Sequence, residues 1–204
     1  MDRGRGSKAK KAARAREVYQ LKVTLRGTRP PIWRRVQVYS DATLERLHRI
    51  LQVVMGWTDS HLHQFCARGI YYGMVGPELD FDFEVVDERK VRLHDVLRRP
   101  KDRMQYEYDF GDSWDHDVVL ERITGPAPQV RYPLVLAGRR ACPPEDAGGV
   151  WGYAGFLRAI KDPKHPEHDD FIEWIGGTYD PEGFDVQEAN RAFHGGWGPA
   201  RSDR

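Results

Sequence analysis

Long apolar runs are missing from this chain. No stretch approaches the ~18 residues that a membrane-spanning helix needs. No apolar segment follows the basic start either, because Ala12, Ala13 and Ala15 are interrupted by charges, so neither a secretory leader nor a membrane partner is expected. Cysteine is scarce. Cys66 and Cys142 lie far apart, which excludes a disulfide-dense scaffold and suits two free thiols in a reducing cytoplasm, although a bridge between them is a matter of geometry. Internal repeats are absent, and net charge is small, at +1. That balance conceals an asymmetry. Residues 1–16 carry seven cations (Arg3, Arg5, Lys8, Lys10, Lys11, Arg14, Arg16) against Asp2, so the remaining body is net negative by five. A net-acidic body is a poor binder of phosphate backbones, whereas the basic stretch at 3–16 suits either a solvated extension or contact with nucleic acid or another acidic partner.

What is present suits one domain. The 204 residues are 40% apolar and 31% charged, enough for a sizeable core. We expect a basic, disordered tail over 1–17, a single domain over 18–195, and a short tail over 196–204. Within the domain, 18–125 reads as a sheet part and 126–195 as a loop-rich and helical part.

Residues 18–25 alternate strictly, with Tyr19, Leu21, Val23 and Leu25 on one face. Residues 32–39 alternate again, with Trp33, Arg35, Gln37 and Tyr39 opposite Ile32, Val36 and Val38, and Gly27 and Pro30–Pro31 fill the loop between. A helix follows: Ser40, Asp41 or Thr43 can cap it, Leu44, Leu47, Leu51 and Val54 recur at helical spacing, and Gly56 stops it. Strands are expected at 61–68 and 80–87, a short helix or turn at 92–98, and a second hairpin from 104–110 and 116–123. After Gly125–Pro126 the spacing predicts helices at 152–161, 166–175 and 185–194. The fold class is therefore α+β: a mixed or antiparallel sheet of two hairpins with a packed helix, in β-grasp-like order, then a loop-rich and helical end.

Three segments could carry chemistry. In the first, Trp57 precedes His61 and His63. If both histidines lie in one strand they face the same way, about 6.5 to 7 Å apart, which suits a metal or a phosphate as well as two ordinary strand histidines. In the second, Tyr106, Glu107, Tyr108 and Asp109 lead through Gly111, Asp112 and Ser113 to Trp114, Asp115 and His116. That carboxylate density could bind a divalent cation or place a base beside His116. It is also ordinary turn chemistry. The Asp-Phe-Gly triplet at 109–111 has no accompanying kinase segments. In the third, Cys142 and two prolines precede Glu145, Asp146, Gly148, Gly149, Trp151 and Tyr153. Glu145 and Asp146 could cap a helix or point into a cleft. Cys142 could act as a nucleophile only beside a base such as His61, His63 or His116. Aromatics thread all three segments (Trp57, Tyr71, Tyr72, Tyr106, Tyr108, Trp114, Trp151, Tyr153). They are either core or a stacking platform. The acids between Glu167 and Glu188 read as a solvated helix face.

Several long motifs occur in order: Pro31-Ile-Trp-Arg-Arg35, Thr43-Leu-Glu-Arg-Leu-His48, Met55-Gly-Trp57 with His61-Leu-His63, Tyr106 through Trp114 with His116, and Cys142-Pro-Pro-Glu-Asp-Ala-Gly-Gly149 with Gly152-Tyr153. Together, over about 18–193, they resemble the plasmid pRiA4b ORF-3-like family. The resemblance implies an α+β fold, bacterial or archaeal cells, and plasmid or insertion-sequence contexts. Some members bear a transposon-passenger or resolvase-like label, but this chain shows no serine-recombinase pattern. The resemblance brings no catalytic residue with it.

With no complete catalytic constellation, the leading expectation is a cytoplasmic binding or accessory module presenting an aromatic and acidic cleft to a protein or small ligand. One alternative is a metal-dependent hydrolase drawing ligands and a base from His61, His63, Asp109, Asp112, His116, Glu145 and Asp146. The other is a nucleic-acid-associated protein acting through its basic tail.

Overall fold

Alternation builds the first hairpin as expected. β1 (Val18–Leu25) and β2 (Trp33–Tyr39) pair antiparallel with Leu21 opposite Val36. The structure, a computed structural model, describes residues 16–76 and 82–194, so most of the expected basic tail and the last residues lie outside the described residues. Tyr19, Leu21, Val23 and Leu25 are buried, as are Val36 and Val38, while Gln20, Lys22, Arg35 and Gln37 stay half-buried on the other face. There Arg35 makes a bidentate pair with Glu121, which also accepts from Gln20. One face of the sheet is thus apolar and the other polar, the usual result for antiparallel strands.

α1 (Leu44–Met55) follows. Thr43 is the cap selected from the three candidates: its hydroxyl accepts from the Arg46 amide at 3.1 Å. Gly56 ends the helix in a left-handed conformation, φ +89°, that favours glycine. Leu44, Leu47, Ile50, Leu51 and Val54 join the strand residues in one core.

β3 (His63–Ala67) and β4 (Ile70–Gly73) form a hairpin, and β5 (Val85–Asp87) runs parallel to β4. After the short α2 (Leu93–Val96), β6 (Arg103–Tyr108) and β7 (Trp114–Thr124) make the second expected hairpin. The sheet is larger than two hairpins. Among the described residues its eight strands run in the order β5-β4-β3-β6-β7-β1-β2-β8, and only the β4–β5 pair is parallel. The strand expected at 80–87 is confined to its last three residues, with 80–81 outside the described residues. β8 (Leu134–Arg139) corrects the expectation that strands end at Gly125. It is an edge strand directly after Pro133, too short to show its period, and it pairs with β2 across a register shift.

The helical end matches its forecast closely: α3 (Gly149–Lys161), α4 (His168–Trp174) and α5 (Val186–His194). α5 lies along β8. Asn190 accepts from the Val135 amide at 2.8 Å and donates to its carbonyl at 3.0 Å. No helix among the described residues is long and apolar enough to cross a membrane. Both cysteines are free.

Candidate functional site

The three motif segments do meet, and Glu145 is the residue that joins them. Its Oε1 accepts from the Thr58 amide at 2.8 Å, the Thr58 hydroxyl at 3.1 Å and the Tyr108 hydroxyl at 3.1 Å. Trp57 Nε1 donates to the Pro143 carbonyl, and the Gly148 amide donates to Asp112 Oδ2. The glycines are needed at this joint. A Cβ on Gly149, where φ is +65°, would come within 2.6 Å of the Asp112 carbonyl oxygen, and one on Gly152 would collide with the Ala147 carbonyl. Gly149→Ala is therefore expected to destabilise the protein by about 2 kcal/mol. A urea transition superimposable on wild type would refute that.

His61, Asp109, Glu145 and Asp146 gather where these segments touch. His61 Nε2 lies 3.2 Å from Asp146 Oδ1 and 3.8 Å from Glu145 Oε2, and its Nδ1 lies 3.8 Å from Asp109 Oδ1. Ligand-capable atoms of His61, Asp109 and Asp146 all fall within 4.8 Å of one another. Two buried atoms here, His61 Nε2 and Glu145 Oε2, make no aligned hydrogen bond. Among the described residues, no lysine or arginine pairs with these three carboxylates. Asp109 is held by the turn: φ is +59°, its amide donates to the Leu62 carbonyl, and its Oδ1 accepts from the Gly111 amide. Burial raises the pKa of the Tyr108 hydroxyl beneath them, so it stays a donor to Glu145. Asp146 also lines a cleft of about 370 Å³ with Glu167, Asp170, Phe171 and Trp174.

Other expectations are corrected. β3 begins at His63, after a left-handed Asp59 (φ +60°) and a bend, so His61 and His63 do not share a strand face. His61 goes to the notch, and His63 goes inward to Glu88, with Nε2 2.9 Å from Oε2. His116 is fully buried. Its Nδ1 donates to the Tyr106 carbonyl, and burial lowers its pKa to about 4, so it is neither a ligand of the notch nor an exposed base. Burial drives the Cys142 thiol pKa well up, and the charged groups that perturb it are Arg34 and Glu145 rather than any of the three histidines. Six of the eight named aromatics, Trp57, Tyr72, Tyr106, Tyr108, Trp114 and Tyr153, are core, with Trp57 stacked 4.8 Å from Tyr108, and the half-buried Tyr71 meets Phe83 instead. Trp151 is 88% exposed and takes no part in the notch. Asp112 ties loops together through Gly148.

A second polar cluster was missed except for His63. His48, Asp59 and Glu88 surround it, at the floor of a cavity of about 270 Å³. His48 closes the motif Thr43-Leu-Glu-Arg-Leu-His48 and occupies a position on the apolar face of α1, between Leu44 and Leu51. Burial, then the neighbouring His63, lowers its pKa to about 4 against the pull of Asp59.

The comparisons agree with the motifs. The family model described as "Plasmid pRiA4b ORF-3-like protein" matches residues 17–188. A relative from Sinorhizobium fredii (strain NBRC 101917 / NGR234), named "Uncharacterized protein y4hQ", is 40% identical over 177 residues, 86% of this chain and 90% of the relative. A crystal structure from Methanosarcina mazei Go1, described as "Protein of Unknown Function MM3350", aligns with a TM-score of 0.77 at 40% identity. It covers 85% of this chain and 98% of that one.

Proposed function

The chain belongs to the plasmid pRiA4b ORF-3-like family, and from that premise we propose that it is a cation-dependent binding module whose divalent ion sits among His61, Asp109 and Asp146. The observation that carries this reading is the convergence of their ligand atoms within 4.8 Å, beside two buried polar atoms that lack aligned partners. Oxygen donors with one imidazole suit a hard or borderline ion such as Mn²⁺ or Mg²⁺. Three carboxylates in one notch repel one another, and a dication relieves that repulsion. The adjoining cleft, with Glu167 and Asp170 beside Phe171 and Trp174, favours a ligand carrying a cationic or apolar group and disfavours a phosphate backbone.

Calorimetric titration of Mn²⁺ into chelator-stripped protein is the test. Asp109→Asn and Asp146→Asn are each expected to weaken this binding at least tenfold. Heats matching buffer, or affinities unchanged in both variants, would remove the reading. One observation favours a hydrolytic extension: Glu145 Oε2 is free and 3.8 Å from His61 Nε2, a placement suited to accepting a proton from an ion-bound water. Mn²⁺-dependent turnover of a phosphoester or amide, lost in Glu145→Gln, is the result that would make the protein an enzyme.

A further inference from the structure

His48 and His63 stack with ring centroids 3.4 Å apart and an interplanar angle of 1°. Their side chains are 4% and 3% exposed. Each imidazole meets its own carboxylate: His48 Nε2 lies 2.7 Å from Asp59 Oδ1, and His63 Nε2 lies 2.9 Å and 3.1 Å from the two oxygens of Glu88. Glu88 is 2% exposed, and its ion-pairing partner among the described residues is His63. A buried carboxylate needs a compensating positive charge. Two imidazoles in face-to-face contact cannot both supply it as cations, because like charges that close repel strongly. His63 Nδ1 is buried and has no hydrogen-bond partner.

The partners of His48 suit a metal ligand. Its Nδ1 lies 2.8 Å from the Tyr106 hydroxyl, which also accepts from Gln52 at 3.0 Å. A hydroxyl can donate to Nδ1 or accept from it, so His48 is able to place its proton on either nitrogen. With the proton on Nδ1, facing Tyr106, Nε2 presents a lone pair beside Asp59. A second nitrogen held by an outer hydrogen bond is how ligating histidines are usually oriented.

We propose that His48, His63 and Asp59, with Glu88 behind them, form a transition-metal site separate from the notch at His61. Ligand atoms of His48, Asp59 and His63 lie within 4.8 Å of one another. A set of two imidazoles with carboxylates selects a borderline ion of the zinc and cobalt class over Mg²⁺ or Ca²⁺. The cavity of about 270 Å³ above the site leaves room for water or an oxygen-bearing ligand on the ion's open side. Arg49 and Arg89 also line this cavity, paired with Glu45 and Asp87 respectively.

The test uses Co²⁺ as a spectroscopic probe on the full chain after chelator treatment and dialysis. Visible d–d bands distinct from hexaaquo cobalt are expected at one equivalent and are expected to be displaced by Zn²⁺. His63→Gln should abolish them. Since a core substitution at His63 can also disturb folding, Asp59→Asn serves as the second variant: Asp59 is 54% exposed, and its replacement should weaken Co²⁺ binding at least tenfold with the circular dichroism spectrum unchanged. Asp146→Asn, in the other notch, should leave the bands intact. Wild-type protein that leaves cobalt as the aquo ion would overturn the proposal. So would bands that survive both His63→Gln and Asp59→Asn, or bands lost with Asp146→Asn alone, which would assign the ion to the notch.

Discussion

Replacing Arg34 with leucine is expected to lower the unfolding free energy by about 3–5 kcal/mol, the cost of leaving buried carbonyls without a donor. Arg34 lies on β2 with its side chain turned into the core, and the residue is 1% exposed. Its Nε donates to the Val54 carbonyl at 2.7 Å, and its Nη1 donates to the carbonyls of Trp33 at 2.9 Å and Arg139 at 3.0 Å. The guanidinium also sits 3.8 Å over the Phe184 ring. One side chain therefore ties the last turn of α1 to β2 and β8. The helix end is a favourable place for a cation, because unpaired carbonyls and the helix dipole both point there. Burial lowers the Arg34 pKa to about 10, which leaves it charged at neutral pH. Leucine fills part of the volume but leaves three carbonyls without this donor. Lysine restores the charge without the planar fork, so Arg34→Lys should recover only part of the loss. Urea denaturation of the three proteins decides the matter, and a leucine variant within 1 kcal/mol of wild type would show the carbonyls to be satisfied otherwise.

Acid should destabilise the metal-free protein as pH falls below about 6.5. The folded pKa of His116 is about 4, below the ordinary histidine value of 6.5, because burial penalises its charged form. Between these values the unfolded chain takes up a proton that the folded one refuses. Stability is therefore full above about pH 6.5 and falls as pH drops toward 4. By pH 4.5 this one group removes about 2–3 kcal/mol. His48 is shifted in the same direction, also to about 4, and adds to the slope. The carboxylates with lowered pKa, such as Glu121 beside Arg35 and Asp87 beside Arg89, lose their contribution at lower pH. The check is a set of urea transitions at pH 7 and 4.5 in chelator. His116→Asn keeps a donor near the Nδ1 position and cannot titrate, so it should lose markedly less stability over this interval than wild type. Equal losses in the two proteins would exclude His116 as the source.

Much of this architecture is legible in the residues. Both long hairpins and α1 announce themselves, because alternation and 3.6-residue spacing survive where one face is buried and the other wet. The C-terminal helices are readable from their proline and glycine boundaries. β8 is not, because six edge residues after a proline carry too little period. The notch was half legible. His61, Asp109, Glu145 and Asp146 all fall in conspicuous motifs, yet their convergence depends on contacts between segments far apart in the chain. His61 and His63 were misread as a pair because a single left-handed residue, Asp59, delays the strand by two positions. Arg34 falls on the inward face by its alternation with Ile32, Val36 and Val38, yet nothing local tells which carbonyls an inward arginine would bond. Glu88 had no signal, for its partner lies 25 residues away.

The Asn190 side chain, seen earlier bonding both polar groups of Val135, has a consequence for polymerisation. β8 carries Leu134, Val135 and an exposed Leu136 along the rim of the sheet. A bare rim of that composition is a template on which another chain can grow. The asparagine amide is a short imitation of a peptide unit: one acceptor and one donor, set at the spacing of the next rung. By occupying the rung itself, α5 keeps crowded copies of the molecule from zipping together along this seam.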